Sequence, residues 1–263
     1  METPEITELL DIVRRATQQE LLPRFGKIQR DYKSDRSIVT EADLAMQHGI
    51  RLELASRWDG FPMLGEEMPL QAQQALITNS TDGLWVVDPI DGTSNFAAGI
   101  PYWAVSVAWF HGGVAKLGLV YDPVRDEAFS AGLGQGARLN GQLIEPSLSP
   151  EQLSQTIAAI DFKRLPPALA TRLVQDNPYS SQRSFGSVAL DWCWLAANRF
   201  HIYLHGKQNI WDYAAGNLIF SEAGGYATTL EGDLVPIASV EPRSAMGALD
   251  YELFKQWSNY LRG

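Results

Sequence analysis

Cysteine is almost absent from this chain. Cys193 is the single one in 263 residues, so no disulfide can form within it, and a reducing, cytoplasmic setting is expected. Histidine is scarce as well, with four residues and no H-E-x-x-H motif, so a zinc cage is not expected. Nothing approaches the run of about eighteen uninterrupted apolar residues that a membrane span needs. The start, METPEITELLDIVRR, is acidic from its second residue and has no basic stretch before an apolar core, so it does not read as a secretory signal. Positive charge is outweighed: 21 Lys and Arg against 31 Asp and Glu give a net charge of −10. Such a chain is a poor general binder of nucleic acid or of anionic membranes. A small anion remains open to it if a metal supplies the positive charge.

What is present suffices for a large core. The chain is 45% hydrophobic, enough for one large domain or two closely packed halves. Ile6, Leu9, Leu10 and Val13 recur at helical spacing, which predicts an amphipathic helix over the first twenty or so residues. Thr40 to Asp43 has the spacing of a capping box, so a second helix starts there, with Leu44, Ala45, Ile50 and Leu54 as expected apolar contacts. Residues 69–83 read as a polar surface connection. Leu84 to Val87 is a strand without a polar residue, as expected when both faces are covered. Tyr102–Trp109, Val114–Tyr121 and Glu127–Ala131 read as further strands, with turns at Gly112-Gly113 and Asp122-Pro123. Pro146 and Pro150 mark a linker, which divides the chain into residues 1–145 and 146–263 within one catalytic unit. In the second part, Thr156–Ile160 and Phe200–Leu204 read as strands. Helices are expected near Pro167–Asp176, Ser187–Asn198 and Asp212–Ala223, the last stopped by Gly224-Gly225. Strands and helices mixed in both parts predict a layered α/β architecture.

Three acidic clusters carry the chemistry: Gly65-Glu66-Glu67, Asp88-Pro89-Ile90-Asp91-Gly92-Thr93, and Trp211-Asp212. Each lies beside apolar sequence. A turn accounts for the second cluster, since Asp-Pro and Asp-Gly are common turn pairs. A metal site accounts for it too. The preceding strand is wholly apolar, Pro89 stiffens the backbone between the carboxylates, and Gly92-Thr93-Ser94 offers backbone N–H groups that suit a phosphate. Carboxylates, a backbone carbonyl and phosphate oxygens are hard ligands that fit Mg²⁺. Glu66 and Glu67 also fit a solvated loop. Asp212 also fits a helix N-cap, and Thr40 and Asp43 a helix cap with no further role.

Together these segments resemble the inositol monophosphatase family of Mg²⁺-dependent, typically lithium-sensitive phosphatases. WVVDPIDGTSNF, Trp85 to Phe96, is similar throughout to the family's first signature. WDYAAG with SEAGG, Trp211 to Gly225, is similar to its second. Gly65 to Glu67 and Val39 to Asp43 match the two shorter elements, in the right order, and the resemblance spans about residues 5 to 260. It implies a layered αβαβα sandwich of the inositol monophosphatase and sugar phosphatase type. It implies two or three Mg²⁺ per site, with Glu66, Asp88 and the Ile90 carbonyl on the first metal and Asp88, Asp91 and Asp212 on the second. Glu66 and Thr93 would then hold the attacking water, and Asp43 would accept a hydrogen bond from Thr93. Substrate contacts would come from Asp91, Gly92, Thr93, Ser94 and Asp212, and from Gly186, Ser187 and Val188 in a stretch similar to the family's G-[ST]-A-A. Val188 departs mildly from alanine there.

A sharper departure lies seven residues before Asp212, where inositol-processing members usually place a glutamate. Here it is His205, which cannot offer two acceptor oxygens. Either the polyol specificity has changed, or the loop from Leu204 to Asn209 aligns differently and His205 is exposed. Lys163, after an expected strand, is either a solvated lysine or a positive charge in the pocket. The expected substrate is inositol 1-phosphate or a related polyol phosphate. Histidinol phosphate, fructose bisphosphate and adenosine bisphosphate are the alternatives, and a noncatalytic metal-dependent binding protein on the same fold is a further one. The resemblance also implies a homodimer.

Overall fold

The amphipathic spacing at the N-terminus is realised as a helix that lays one face on a sheet. In the computed structural model, which describes residues 3–28, 31–32, 38–145, 149–235 and 238–263, α1 (Ile6–Ala16) buries Leu9, Ile12, Val13 and Ala16 and continues through a π-type turn at Thr17–Leu21. Two short strands, β1 (Asp31–Tyr32) and β2 (Ile38–Val39), pair antiparallel before α2 (Glu41–Arg57). Next come β3 (Met63–Gly65), α3 (Leu70–Asn79), β4 (Leu84–Asp91) and the short α4 (Thr93–Ala98). An antiparallel meander follows: β5 (Ala104–His111), β6 (Val114–Asp122), β7 (Glu127–Gly132), β8 (Ala137–Leu139) and β9 (Gln142–Leu143). The later elements are β10 (Ile157–Asp161), a tight turn at Phe162–Arg164, α5 (Pro167–Gln175), β11 (Ser181–Arg183), α6 (Val188–Ala196), β12 (Ile202–Gln208) and α7 (Ile210–Glu222). β13 (Tyr226–Thr228), β14 (Arg243–Ala248) and α8 (Tyr251–Arg262) complete the chain.

Among the described residues, β3 to β9 form a seven-stranded sheet in sequence order, and a five-stranded sheet has the order β11-β10-β12-β14-β13. β4 is buried along its whole length, and the reason is visible in the layers. Trp85 and Val87 point to α1 and α2, where they pack with Leu9, Val13, Met46 and Ile50. Val86 points the other way, as alternation requires, into a core shared with α6 and α7 and with Tyr203 and Ala245 of the second sheet. The far face of that sheet, with Ala158, Ile160, Ile202 and Met246, is covered by Leu173 of α5 and Leu253 and Trp257 of α8. The order is therefore helix, sheet, helix, sheet, helix, the expected αβαβα sandwich. Trp85, Trp103, Trp192 and Trp257 are fully enclosed, each stabilising the fold by roughly 2–3 kcal/mol through burial.

Two expectations are corrected. Residues 69–83 hold a helix, α3, whose Gln73 is buried and donates to the carbonyls of Gly65 and Glu66 at 3.0 and 3.3 Å. A polar side chain used inward hid the helix from apolar periodicity. In α2 the buried positions are Ala42, Asp43, Met46, Ile50 and Leu54, so Ile50 and Leu54 are as expected, while Leu44 is 55% exposed. The helix starts where the capping box puts it, but its inward face follows an i, i+4 row that begins at Ala42. Pro146 of the expected linker lies outside the described residues.

Candidate active site

The first signature stretch is a strand that breaks its own register. β4 pairs Asp88 with Ser106 and Asp91 with Ala104 of β5, so three steps on one strand face two on the other. Residues three apart in a regular strand point to opposite faces. The inserted residue turns Asp91 back to the side of Asp88. Pro89, which has no N–H to give, sits where the ladder is interrupted. The Ile90 N–H donates to Asp88 Oδ1 at 3.0 Å and locks the turn. Gly92 then takes a left-handed conformation, φ 94°. A Cβ there would lie 3.1 Å from the Tyr102 carbonyl oxygen and 3.2 Å from that of Gly186, so the turn needs glycine for both reasons. α4 begins at the next residue, and the first N–H groups of a helix have no acceptor within it.

Asp212 joins this pair from the other half. One ligand oxygen from each of Asp88, Asp91 and Asp212 lies within 4.8 Å of the others. Asp212 is the third residue of α7, not its cap. Asn209 is the cap, and its N–H donates to Asp212 Oδ2 at 2.8 Å. Asp43 holds the same position in α2, accepting from Thr40 N at 2.7 Å and Thr40 Oγ1 at 2.6 Å. Its other oxygen lies 3.3 Å from the Thr93 hydroxyl, which also reaches the Ile90 carbonyl at 2.9 Å. The capping role and a site role are thus carried by the same carboxylates. Ser187 Oγ and the Ala189 N–H both donate to Asp91 Oδ2 at 2.6 Å, so the second half of the chain fixes a carboxylate supplied by the first. Asn95 Nδ2 ties the same halves by donating to the carbonyls of Tyr102 and Phe185, each at 2.7 Å.

Burial sets the electrostatics. It pushes the carboxyl of Asp88 well above the usual range, and the charges of Glu66, Asp91 and Asp212 push the same way. Asp212 is raised well above its ordinary value by burial, then by Asp91 and Glu66. Asp91 is raised to about 6 by burial, against the hydrogen bonds from Ser187 and Ala189. Asp43 is also raised to about 6 by burial, opposed by Thr40 and assisted by the charges of Glu66 and Glu67. A cluster that resists its own ionisation this strongly is a ready ligand set for a divalent cation, which replaces the protons.

Asp88, Asp91 and Asp212 line a cavity of about 310 Å³ together with Glu66, Ile90, Gly92, Thr93, Ser94, Gly186, Ser187 and Val188. Asp161, Lys163, Arg164, Asp191, His205 and Lys207 line the same cavity. His205 is 6% exposed on β12, so the alternative of an exposed loop histidine falls. Its Nε2 lies 3.1 Å from Asp161 Oδ2, and its Nδ1 accepts from Lys207 N at 3.2 Å. That pairing assigns the proton to Nε2 and leaves neither ring nitrogen as an acceptor for substrate hydroxyls. Burial works to raise the Asp161 carboxyl, but His205, the Lys163 N–H and Arg164 hold it below its ordinary value. His201 and His205 have H-x-x-x-H spacing, but four residues along a strand span about 13 Å, so the two rings do not form a metal pair.

Asp191 is the wall residue least visible from sequence. It is buried, accepts from the Tyr102 hydroxyl at 2.9 Å, and is raised well above its ordinary value by burial. An acid one turn beyond Ser187, in an otherwise apolar helix, was the available signal. Gln73, Asp161, Arg164 and Lys207 carried none, because their roles depend on which segments the fold brings together.

The sequence profile of the inositol monophosphatase family matches residues 5–258. A protein of Pasteurella multocida named Nus factor SuhB is 35% identical over 80% of this chain and 78% of its own length. Inositol monophosphatase 1 of Solanum lycopersicum is also 35% identical, over 79% of this chain and 78% of its own. The crystal structure of the extragenic suppressor protein suhB from Bartonella henselae superposes with a TM-score of 0.86 at 28% identity, covering 98% of both chains. The chain belongs to the inositol monophosphatase family, and so to the phosphoric monoester hydrolases.

Proposed function

We propose that this member of the inositol monophosphatase family hydrolyses a small phosphorylated alcohol with Mg²⁺, two or three ions per site, as a cytoplasmic homodimer. The convergence of Asp88, Asp91 and Asp212 within 4.8 Å is the observation that carries the reading. Hard carboxylate donors fit Mg²⁺, with the Ile90 carbonyl and Glu66 completing the set. When bound, such ions reverse the sign of the site, lower the pKa of water, and stabilise the attacking and leaving oxygens together.

The chain's own groups do the rest. Glu66 and the Thr93 hydroxyl orient the attacking water, with Asp43 setting the direction of that hydroxyl through the 3.3 Å contact. Backbone N–H groups of Gly92, Thr93 and Ser94 hold the phosphate at the head of α4. Ser187 and Ala189 keep Asp91 in place. In a transition state with charge spread over phosphoryl oxygens, this prepositioning is the main lever on rate. Neither Cys193, buried and with its thiol pushed up by burial, nor a Ser–His pair is needed.

Inositol 1-phosphate or a related polyol phosphate is the first candidate, with histidinol phosphate, fructose bisphosphate and adenosine bisphosphate as alternatives. His205 supports a changed alcohol site, since a glutamate at 205 would set a second carboxylate against Asp161. Release of phosphate from a generic aryl phosphate, with and without Mg²⁺, tests the reaction, and a screen of those four substrates tests the alcohol. Release that ignores both Mg²⁺ and chelator would overturn the metal mechanism. The relatives named as Nus factors favour a second reading, a noncatalytic binding protein on this fold. The complete carboxylate set supports the enzyme, and no release from any phosphate would favour the second.

A further inference from the structure

We infer that Lys163, Arg164 and Lys207, exposed on the lining of this cavity, form a second anion subsite, and that the substrate is a phosphorylated alcohol carrying another anionic group. This rests on the phosphomonoesterase reading and narrows its substrate class.

The cavity carries both signs of charge. Buried Asp88 and Asp91 lie at the floor, while Lys163, Arg164 and Lys207 are exposed at the rim and line the same space. In a chain with ten more acidic than basic residues, cations near acids are the rule. Arg125 reaches Asp122 at 2.7 Å, and Arg199 pairs with Glu127. Among the described residues, no ion pair engages Lys163, Arg164 or Lys207. Asp161 feels the charge of Arg164 but forms no ion pair with these cations: one oxygen accepts from the Lys163 backbone N–H at 2.8 Å, and the other faces His205. Asp191, which also lines the cavity, is buried against Tyr102.

The gathering of these cations is built into the backbone. Lys163 and Arg164 lie in the turn after β10, and Lys207 lies on β12, where pairing with β14 shifts register between His205 and Gln208. Gly206 stands at that shift, and a Cβ on it would lie 1.9 Å from the Arg164 carbonyl oxygen. Only glycine lets the turn close over the strand and bring the three cations to one rim. Once the scissile phosphate is held at the floor, a neutral polyol gains little from that rim, whereas a second phosphate or carboxylate meets several charged donors.

Matched substrates test this. The pairs are a ketohexose bisphosphate with the monophosphate lacking its distal phosphate, and phosphoglycerate with glycerol phosphate, which lacks its carboxylate. We expect kcat/KM to favour the member with the anionic tail in at least one pair by about tenfold or more, chiefly through KM. The first pair reports a distal phosphate, the second a carboxylate. In the Lys163→Ala/Arg164→Ala/Lys207→Ala variant the ratio should fall towards one. Gly206→Ala should lower it too, while Lys255→Ala, on the distant α8, should leave it unchanged. Equal kcat/KM within both pairs, or a ratio that survives the triple variant, would overturn the subsite alone. If neither these compounds nor an aryl phosphate release phosphate with Mg²⁺, the phosphatase reading falls and the subsite with it.

Discussion

The floor and the rim of the cavity are built in different ways. At the floor, one stretch of twelve residues supplies Asp88, the Ile90 carbonyl, Asp91, Gly92 and Thr93, a single strand bulge aims them, and Glu66 and Asp212 join from elsewhere in the chain. At the rim, Asp161, Lys163 and Arg164 come from one connection, Asp191 from a helix, and His205 and Lys207 from another strand. The floor carries its geometry in local sequence. The rim has geometry only after the second sheet has formed. The groups assigned to the reaction are therefore written largely in one stretch of this chain, and those of the rim are spread over several.

That contrast predicts separable kinetics. The largest effect belongs to the floor: Asp212→Asn should lower kcat by about a thousandfold or more, the scale of losing a ligand to the ions that stabilise the transition state. A drop confined to KM would place Asp212 with the rim instead. Next is Ser187→Ala, which frees Asp91 from its 2.6 Å bond. Mg²⁺ affinity should fall about 10–100-fold, as for other residues that orient a ligand, read as the Mg²⁺ concentration for half-maximal rate.

The metal-free floor also predicts a pH dependence. Asp43 and Asp91 are raised to about 6 in the folded protein, above their unfolded values near 4. Groups raised in this way add stability below the unfolded value and lose it as pH rises through the folded one. The thermal midpoint of chelator-treated protein should therefore fall between about pH 4 and pH 7, and Mg²⁺ should restore it most at the upper end. A metal-free midpoint that rises across that window would contradict the account. The smallest effect belongs to the rim: Asp161→Asn keeps an acceptor for His205 and should change KM by only a few-fold, with kcat nearly retained. A collapse of kcat in that variant would erase the distinction between the two ends.

Legibility in the sequence follows the same divide. Leu84 to Val87 announces a strand covered on both faces, and the observed layers bury all of it. The helix starts at Thr40 and near Asp212 were visible through their capping patterns, although Asn209 is the cap of the latter. The phase of α2 was not, because Leu44 and Met46 are equally apolar and only the neighbouring sheet decides which turns inward. α3 was hidden because Gln73 spends its polarity inside, on the Gly65 and Glu66 carbonyls. His205 was noticed as an oddity seven residues before Asp212, but its partner Asp161 is 44 residues away and adjacent only through the pairing of β10 with β12. A strand bulge can be inferred from Asp-Pro-x-Asp-Gly; a wall made by three segments cannot.

The central claim is that Asp88 acts through a divalent metal. Its most direct test is Asp88→Asn beside the unaltered protein, with phosphate release followed from an aryl phosphate across a Mg²⁺ titration and folding checked by circular dichroism. The account predicts an Asp88→Asn protein that stays folded, shows no Mg²⁺-stimulated release, and has lost the Mg²⁺-induced rise in thermal midpoint. A folded Asp88→Asn protein with the same Mg²⁺-dependent turnover as the original would contradict it.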